Sequence, residues 1–317
     1  MATNMNNRCL QGLEALPETI RGCVLTIGNF DGVHLGHQEI ISTARHLADQ
    51  AKRPVVAMTF EPPPELALRP TSSPQRITPA KEKCRLLLEA GSDFVLTLAP
   101  DRKLLATAPR NFIDQIVVAR FGPSHIVEGR NFFFGNGRSG NIDTLREASE
   151  PGGFEVNVVE PVMIEFPDRK ERVSSSLIRS LVLSGKIDQA NACLARPFAL
   201  FGEVVPGTGR GKKLLGFPTI NVDAAQQVVP ADGVYAGKAL LGDIECPAAI
   251  SIGDNPTLGG TERSVEAFLI DVEGDLRGLQ AKLSFIETIG KQEKFPDVEA
   301  LRRQIAKDVS RVREIIG

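Results

Sequence analysis

Near residue 195 the chain changes rhythm, and this change limits its possible folds more than any other feature. Before it, short apolar runs alternate with stretches of helical spacing. After it, short β-rich segments follow one another, with Gly, Pro and Asp between them about every 8–12 residues. Two unlike domains are expected, with the boundary between Gly185 and Pro197. A length of 317 residues also suits about two domains.

In the first part, residues 23–30 (CVLTIGNF) read as a buried strand stopped by Gly28 and Asn29. Helical spacing over 36–52 follows, then a strand at 54–60, a helix at 79–90 and a strand at 93–98. A helix over about 109–121, strands at 124–128 and 155–160, and a helix at 174–183 complete this part. Strands alternating with helices predict a parallel, doubly wound, Rossmann-like α/β sheet with right-handed crossovers. After residue 195 the segments ALFGEVV, TINVD, GVYAGKALL, CPAAISIG, SVEAFLID and QAKLSFIE predict an antiparallel sandwich or barrel. A final helix begins after the N-cap candidate Asp297, with Val298, Leu301, Ile305, Val309, Val312 and Ile316 as its apolar stripe.

Composition removes several function classes. Lys+Arg (37) nearly balances Asp+Glu (39), against the basic excess of a generic nucleic-acid binder. No apolar run approaches a membrane span, and the first residues have no signal-peptide core, so the cytosol is the expected compartment. The five cysteines (Cys9, Cys23, Cys84, Cys193, Cys246) are odd in number and widely scattered. Buried, reduced thiols are therefore expected rather than a disulfide framework or a zinc knuckle.

The most informative stretch is Gly28-Asn29-Phe30-Asp31-Gly32-Val33-His34-Leu35-Gly36-His37. A strand ends, a glycine-bounded turn follows and a helix begins. The helix start offers unpaired N–H groups and positive dipole to an anion. Two of the chain's four histidines stand here, at 34 and 37. Gly36 between them lets a phosphate approach the backbone. His34 and His37 can donate to phosphate oxygens and stabilise charge on a reacting phosphorus and on leaving pyrophosphate. A zinc site is disfavoured, since no Cys or third His stands nearby at ligand spacing.

This H-x-G-H turn resembles the nucleotidyltransferase superfamily. Its longer form, G-N-F-D-G-V-H-x-G-H, is similar to the adenylyltransferase half of bacterial bifunctional riboflavin kinase/FMN adenylyltransferases. Further matches follow in order: Thr59-Phe60-Glu61-Pro62, Arg76-Ile77-Thr78 before the Lys81/Lys83 helix, Asn131-Phe132-Phe133-Phe134-Gly135, and Val173-Ser174-Ser175-Ser176-Leu177-Ile178-Arg179. The resemblance implies binding roles for Gly28, Asn29, Phe30, Asp31, Gly36 and Asn131. It implies that Ser174, Ser175, Ser176 and Arg179 serve the nucleotide phosphates. Position 63 is Pro63, where the family often has His.

A second constellation lies in residues 202–222, GEVVPGTGRGKKLLGFPTINV. It is not a P-loop: the spacing from Gly207 to Lys212 is too short and Lys213 replaces the required Ser or Thr. Flexible glycines with Arg210 and Lys212 can still wrap a polyphosphate. Thr219 and Asn221, two residues apart on one strand, share a face and can hold Mg²⁺ with ATP phosphates.

Gly216-Phe217-Pro218-Thr219-Ile220-Asn221 is similar to the Pro-Thr-Ala-Asn motif of riboflavin kinases. Pro230–Tyr235, Ser251–Thr257 and Ser264-Val265-Glu266 resemble later segments of that family. The resemblance implies nucleotide-binding roles for Gly209, Arg210, Gly211, Lys212, Gly216, Pro218, Thr219 and Asn221. It implies that Glu266 is the general base on the riboflavin 5′-hydroxyl. Gly290 stands where many relatives have Arg.

Taken over about residues 12–316, the resemblance implies a nucleotidyltransferase domain at 1–188 and a β-barrel riboflavin-kinase domain with a C-terminal helix at 189–317. The implied substrates are ATP, riboflavin and FMN, the implied products FMN and FAD, and the implied ion Mg²⁺. No nucleic-acid or membrane partner is expected, and relatives imply transient homo-oligomers. Two alternatives stand beside this reading: a riboflavin kinase with a degenerate transferase domain, and a non-catalytic flavin-binding regulator.

Overall fold

The computed structural model describes residues 7–68, 75–206, 219–224, 226–254, 263–272, 274–293 and 295–317. The chain divides into two compact units. Residues 1–74 and 80–174 form the first, and residues 75–79 and 175–317 the second.

The first unit is built on a six-stranded, wholly parallel sheet. Its strands are β1 (Cys9–Gln11), β2 (Val24–Ile27), β3 (Val55–Phe60), β4 (Phe94–Leu98), β5 (His125–Gly129) and β6 (Glu155–Val159). Their order is β1-β4-β3-β2-β5-β6, and a separate antiparallel pair, β7 (Met163–Phe166) and β8 (Arg169–Arg172), follows β6. The crossovers carry α1 (Leu35–Ala51), α2 (Pro64–Leu68), α3 (Ala80–Glu89), α4 (Arg102–Leu105), α5 (Pro109–Phe112) and α6 (Ile142–Gly152). The expected helix over 109–121 forms, its later part (Ile113–Phe121) wound as a wider π-helix.

Successive residues of β2 face opposite sides of the sheet. Leu25 and Ile27 pack with Phe112, Val117, Phe121 and Leu145 on one side. Val24 packs with Ala44 and Ala48 of α1 on the other. Burial on both sides explains why β2 reads as a continuous apolar run. From β2 the chain winds outward through β3 and β4, then returns to wind the other way through β5 and β6. The reversal opens a crevice at the carboxyl ends of β2 and β5, where open α/β sheets bind ligands.

One expectation fails here. Cys9 and Cys84 are joined by a disulfide across a sequence separation of 75, while Cys23, Cys193 and Cys246 are buried. The short strand β1, which the apolar pattern did not announce, pairs with β4 and places Cys9 beside Cys84 of α3.

The second unit opens with α7 (Ser175–Leu183) and α8 (Ile187–Leu194) and continues into a barrel. Its strands are β9 (Phe198–Val205), β10 (Thr219–Asp223), β11 (Gly233–Leu241), β12 (Ile244–Gly253), β13 (Ser264–Leu269) and β14 (Gln280–Gly290). They close in the order β10-β13-β12-β11-β14-β9. Of the two expected forms, sandwich and barrel, the closed barrel is found, and closure leaves no free sheet edge. The final helix α9 (Val298–Ile316) is capped by the Asp297 side chain, which accepts from the Ala300 amide at 2.7 Å. Its Ile305 and Val312 pack with Ala236, Ala249 and Phe268 of the barrel.

In this division α7 and α8 go with the barrel. The reason is local. Asn191 of α8 donates to the Phe285 carbonyl at 2.9 Å and accepts from the Phe198 amide at 2.6 Å, which ties the helical pair to β14 and β9.

Candidate active site

In the first unit, the site begins where β2 leaves the sheet. The Gly28 amide still bonds the Met58 carbonyl of β3 at 3.0 Å. The chain then turns through left-handed conformations at Phe30 (φ 48°), Gly32 (φ 87°) and Val33 (φ 38°). For Phe and Val such backbone is strained and persists only where the surroundings hold it. Several contacts do so. Val33 N donates to Phe30 O at 3.0 Å, Thr59 Oγ1 to Asn29 O at 3.2 Å and Lys83 Nζ to Asn29 O at 3.3 Å. Phe30, Asp31 and Val33 are buried.

His34 caps α1 through its backbone, its carbonyl accepting from the amides of His37 (2.8 Å) and Gln38 (3.0 Å). The imidazoles of His34 and His37 stack at 3.6 Å, and the Phe30 ring stands edge-on to His37 at 5.2 Å. A Cβ on Gly36 would lie 3.2 Å from the His34 ring, so a side chain there would crowd the pair. Gly28, Asn29, Phe30, Asp31, His34, Gly36 and His37 therefore form one cluster at the switch point of the sheet. Asn131 lies on the exposed loop after β5, which closes by pairing Phe134 with Gly140. Ser174 ends the first unit, while Ser175, Ser176 and Arg179 belong to the second. There Arg179 Nε donates to Gln75 O at 2.9 Å.

In the second unit, Thr219 and Asn221 occupy alternate, half-buried positions of β10. Asn221 lies directly across the ladder from Glu266 of β13. Glu266 is in turn across from Ser251 of β12, and Ser264 Oγ lies 3.4 Å from Glu266 Oε1. Cross-strand partners share a face. One side of the barrel wall thus presents the Glu266 carboxylate, the Asn221 amide and the hydroxyls of Thr219, Ser251 and Ser264 together. Gly209, Arg210, Gly211, Lys212, Gly216 and Pro218 lie outside the described residues. Among the described residues, no group of three or more His, Cys, Asp or Glu could hold a metal ion. Nor is any helix among them long and apolar enough to cross a membrane.

The comparisons divide the chain in the same order. A family profile for FAD synthetase matches residues 16–177, and one for riboflavin kinase matches residues 194–316. The bifunctional riboflavin kinase/FMN adenylyltransferase of Escherichia coli K12 is 35% identical over 98% of this chain and 97% of its own length. The chain belongs to the bifunctional riboflavin kinase/FMN adenylyltransferase family. The Pseudomonas fluorescens member is 34% identical over 96% of this chain and 97% of its own length. A crystal structure described as a macrolide-efflux protein from Streptococcus pneumoniae superposes with a TM-score of 0.83 at 27% identity. It covers 96% of this chain and 99% of that one.

Two residues of this family member stand at the first site although the motifs do not assign them a role. Lys83 is buried on α3. Besides Asn29 O it donates to Phe60 O at 3.1 Å, and its ammonium lies 3.7 Å from Glu61 Oε2. It joins the ends of β2 and β3. Its signal in the sequence is a lysine falling on the apolar stripe of a helix, with Cys84 and Leu87. Glu128 is buried on β5 among Ile126 and Val127, and burial holds its carboxyl well above the usual carboxylate range. An acid inside a short apolar strand was the signal there.

Proposed function

We propose that this chain makes FAD from riboflavin in two ATP-dependent steps, adenylyl transfer in residues 1–188 and riboflavin phosphorylation in residues 189–317. The observation that carries the reading is the separation of two unlike sites. A stacked histidine pair stands at a strand–helix turn within the FAD synthetase match, and a facing Asn221–Glu266 pair stands within the riboflavin kinase match.

In the phosphorylation step, Glu266 takes the proton of the riboflavin 5′-hydroxyl as that oxygen attacks the terminal phosphorus of ATP. The bond to the ADP oxygen breaks and FMN forms. Thr219 and Asn221 offer a hydroxyl and an amide oxygen on one face, the hard oxygen donors that Mg²⁺ takes alongside phosphates and water. Held there, Mg²⁺ would supply positive charge to neutralise the ATP phosphates.

In the transfer step, an FMN phosphate oxygen attacks the α-phosphorus of ATP. The bond to pyrophosphate breaks and FAD forms, so no protein nucleophile is needed. His34 and His37 donate to the phosphate oxygens and stabilise the leaving pyrophosphate, and the α1 N-terminus adds amide donors.

Product analysis by HPLC after incubation with riboflavin, ATP and Mg²⁺ tests it. FMN followed by FAD is expected. FMN alone would mark a degenerate transferase domain, and neither product from folded protein would favour a flavin-binding regulator.

A further inference from the structure

Backbone pairing between β2 and β5 ends at Val24–His125 and Leu25–Ile126. Beyond that point β2 still pairs with β3 through Ile27, and β5 with β6 through Gly129. The two central strands therefore separate just where the crevice opens. The Glu128 side chain fills the gap: its Oε1 accepts from the Ile27 amide at 2.6 Å, in place of a ladder bond. Thr26 is buried, and its side chain lies close enough to favour the ionised carboxyl, against the larger effect of burial.

Stability alone does not account for this residue. A buried carboxyl loses its hydration, and one amide bond returns only part of that cost. What the bond does have is position. Ile27 is the last residue before Gly28, and the strained turn carrying His34 and His37 starts there. The turn is held from the β3 side by Gly28–Met58, Thr59 and Lys83. Glu128 holds its base from the β5 side.

We propose that Glu128 is a positioning residue for adenylyl transfer: its carboxyl, reaching across the strand gap to the Ile27 amide, sets where β2 ends and where the His34–His37 turn stands. A displacement near 1 Å at reacting groups costs about 10²-fold in rate. The inference rests on the assignment of adenylyl transfer to the first unit.

The test uses full-length protein and measures kcat and KM for FAD formation from FMN and ATP, with riboflavin phosphorylation by the same preparation as the folding control. Glu128→Gln keeps an acceptor at the same reach and rescues most of the rate. Glu128→Asp, one methylene short, and Glu128→Leu, with no acceptor, lower kcat by about 10²-fold while the KM for ATP and riboflavin phosphorylation hold. If Glu128→Leu does not fold, Asp against Gln decides. Unchanged kcat in the Asp variant, or a Gln variant as slow as the Asp variant, overturns the proposal. Unchanged FAD formation in His37→Ala would instead overturn the underlying assignment, whatever the Glu128 variants do.

Discussion

Asn221 and Glu266 are directly opposed across the antiparallel β10–β13 ladder. They are far apart in sequence yet share one face of the barrel wall, with Thr219 two residues along the same strand. An alcohol brought against Glu266 would therefore lie beside the side chains of Asn221 and Thr219.

Replacing Glu266 by Ala should lower riboflavin phosphorylation by roughly 10²–10⁴-fold, the range for a general base. Asn221→Ala should act on the same step. FAD formation from supplied FMN should be unchanged in both. Separate assays of the two reactions check this, and parallel loss of both would sink the division of labour.

The reciprocal variant is His37→Ala. Removing one preorganised donor should slow FAD formation by roughly 10²–10³-fold. Riboflavin phosphorylation, measured in the same preparation, should continue at the wild-type rate.

Lys83→Met keeps the apolar stem of the side chain but removes the donor to Asn29, Phe60 and Glu61. Thermal or urea unfolding should show a loss of about 1–3 kcal/mol, the usual cost of stranding buried acceptors. FAD formation should fall more than FMN formation, because the lost bonds brace the histidine turn.

The Glu128 carboxyl also predicts a stability profile. Burial raises its folded pKa well above the ordinary 4.5. Above that value the unfolded chain ionises while the folded chain keeps its proton, so folding stability falls as pH rises. Glu128→Gln carries no such group. It should therefore be more stable than wild type at pH 7. The advantage should shrink on acidification towards pH 4.5. Urea midpoints at several pH values measure it, and a constant difference would refute it.

The Cys23 thiol is buried and pushed up to about 12, and Cys246 is also raised by burial. The thiolate is the reactive form. A thiol reagent at pH 8 should leave Cys23, Cys193 and Cys246 unmodified in the folded protein and label them only after unfolding. Fast labelling of native protein would contradict their burial.

Much of this protein was legible in residue order. The alternation of apolar strands and amphipathic helices determined a parallel α/β unit, and the punctuated β segments determined an antiparallel one. The Gly28–His37 turn and the Asp297 cap could be read directly, because turns and caps depend on residues a few positions apart. Tertiary structure alone decided the rest. It closed the barrel rather than stacking two sheets, and placed α7 and α8 with it through Asn191. It joined Cys9 to Cys84, set Glu266 opposite Asn221, and put Lys83 and Glu128 behind the histidine turn. Each of these depends on which strands become neighbours. Local periodicity records only how a segment buries its own apolar face; register and crossover fix which distant side chain meets it.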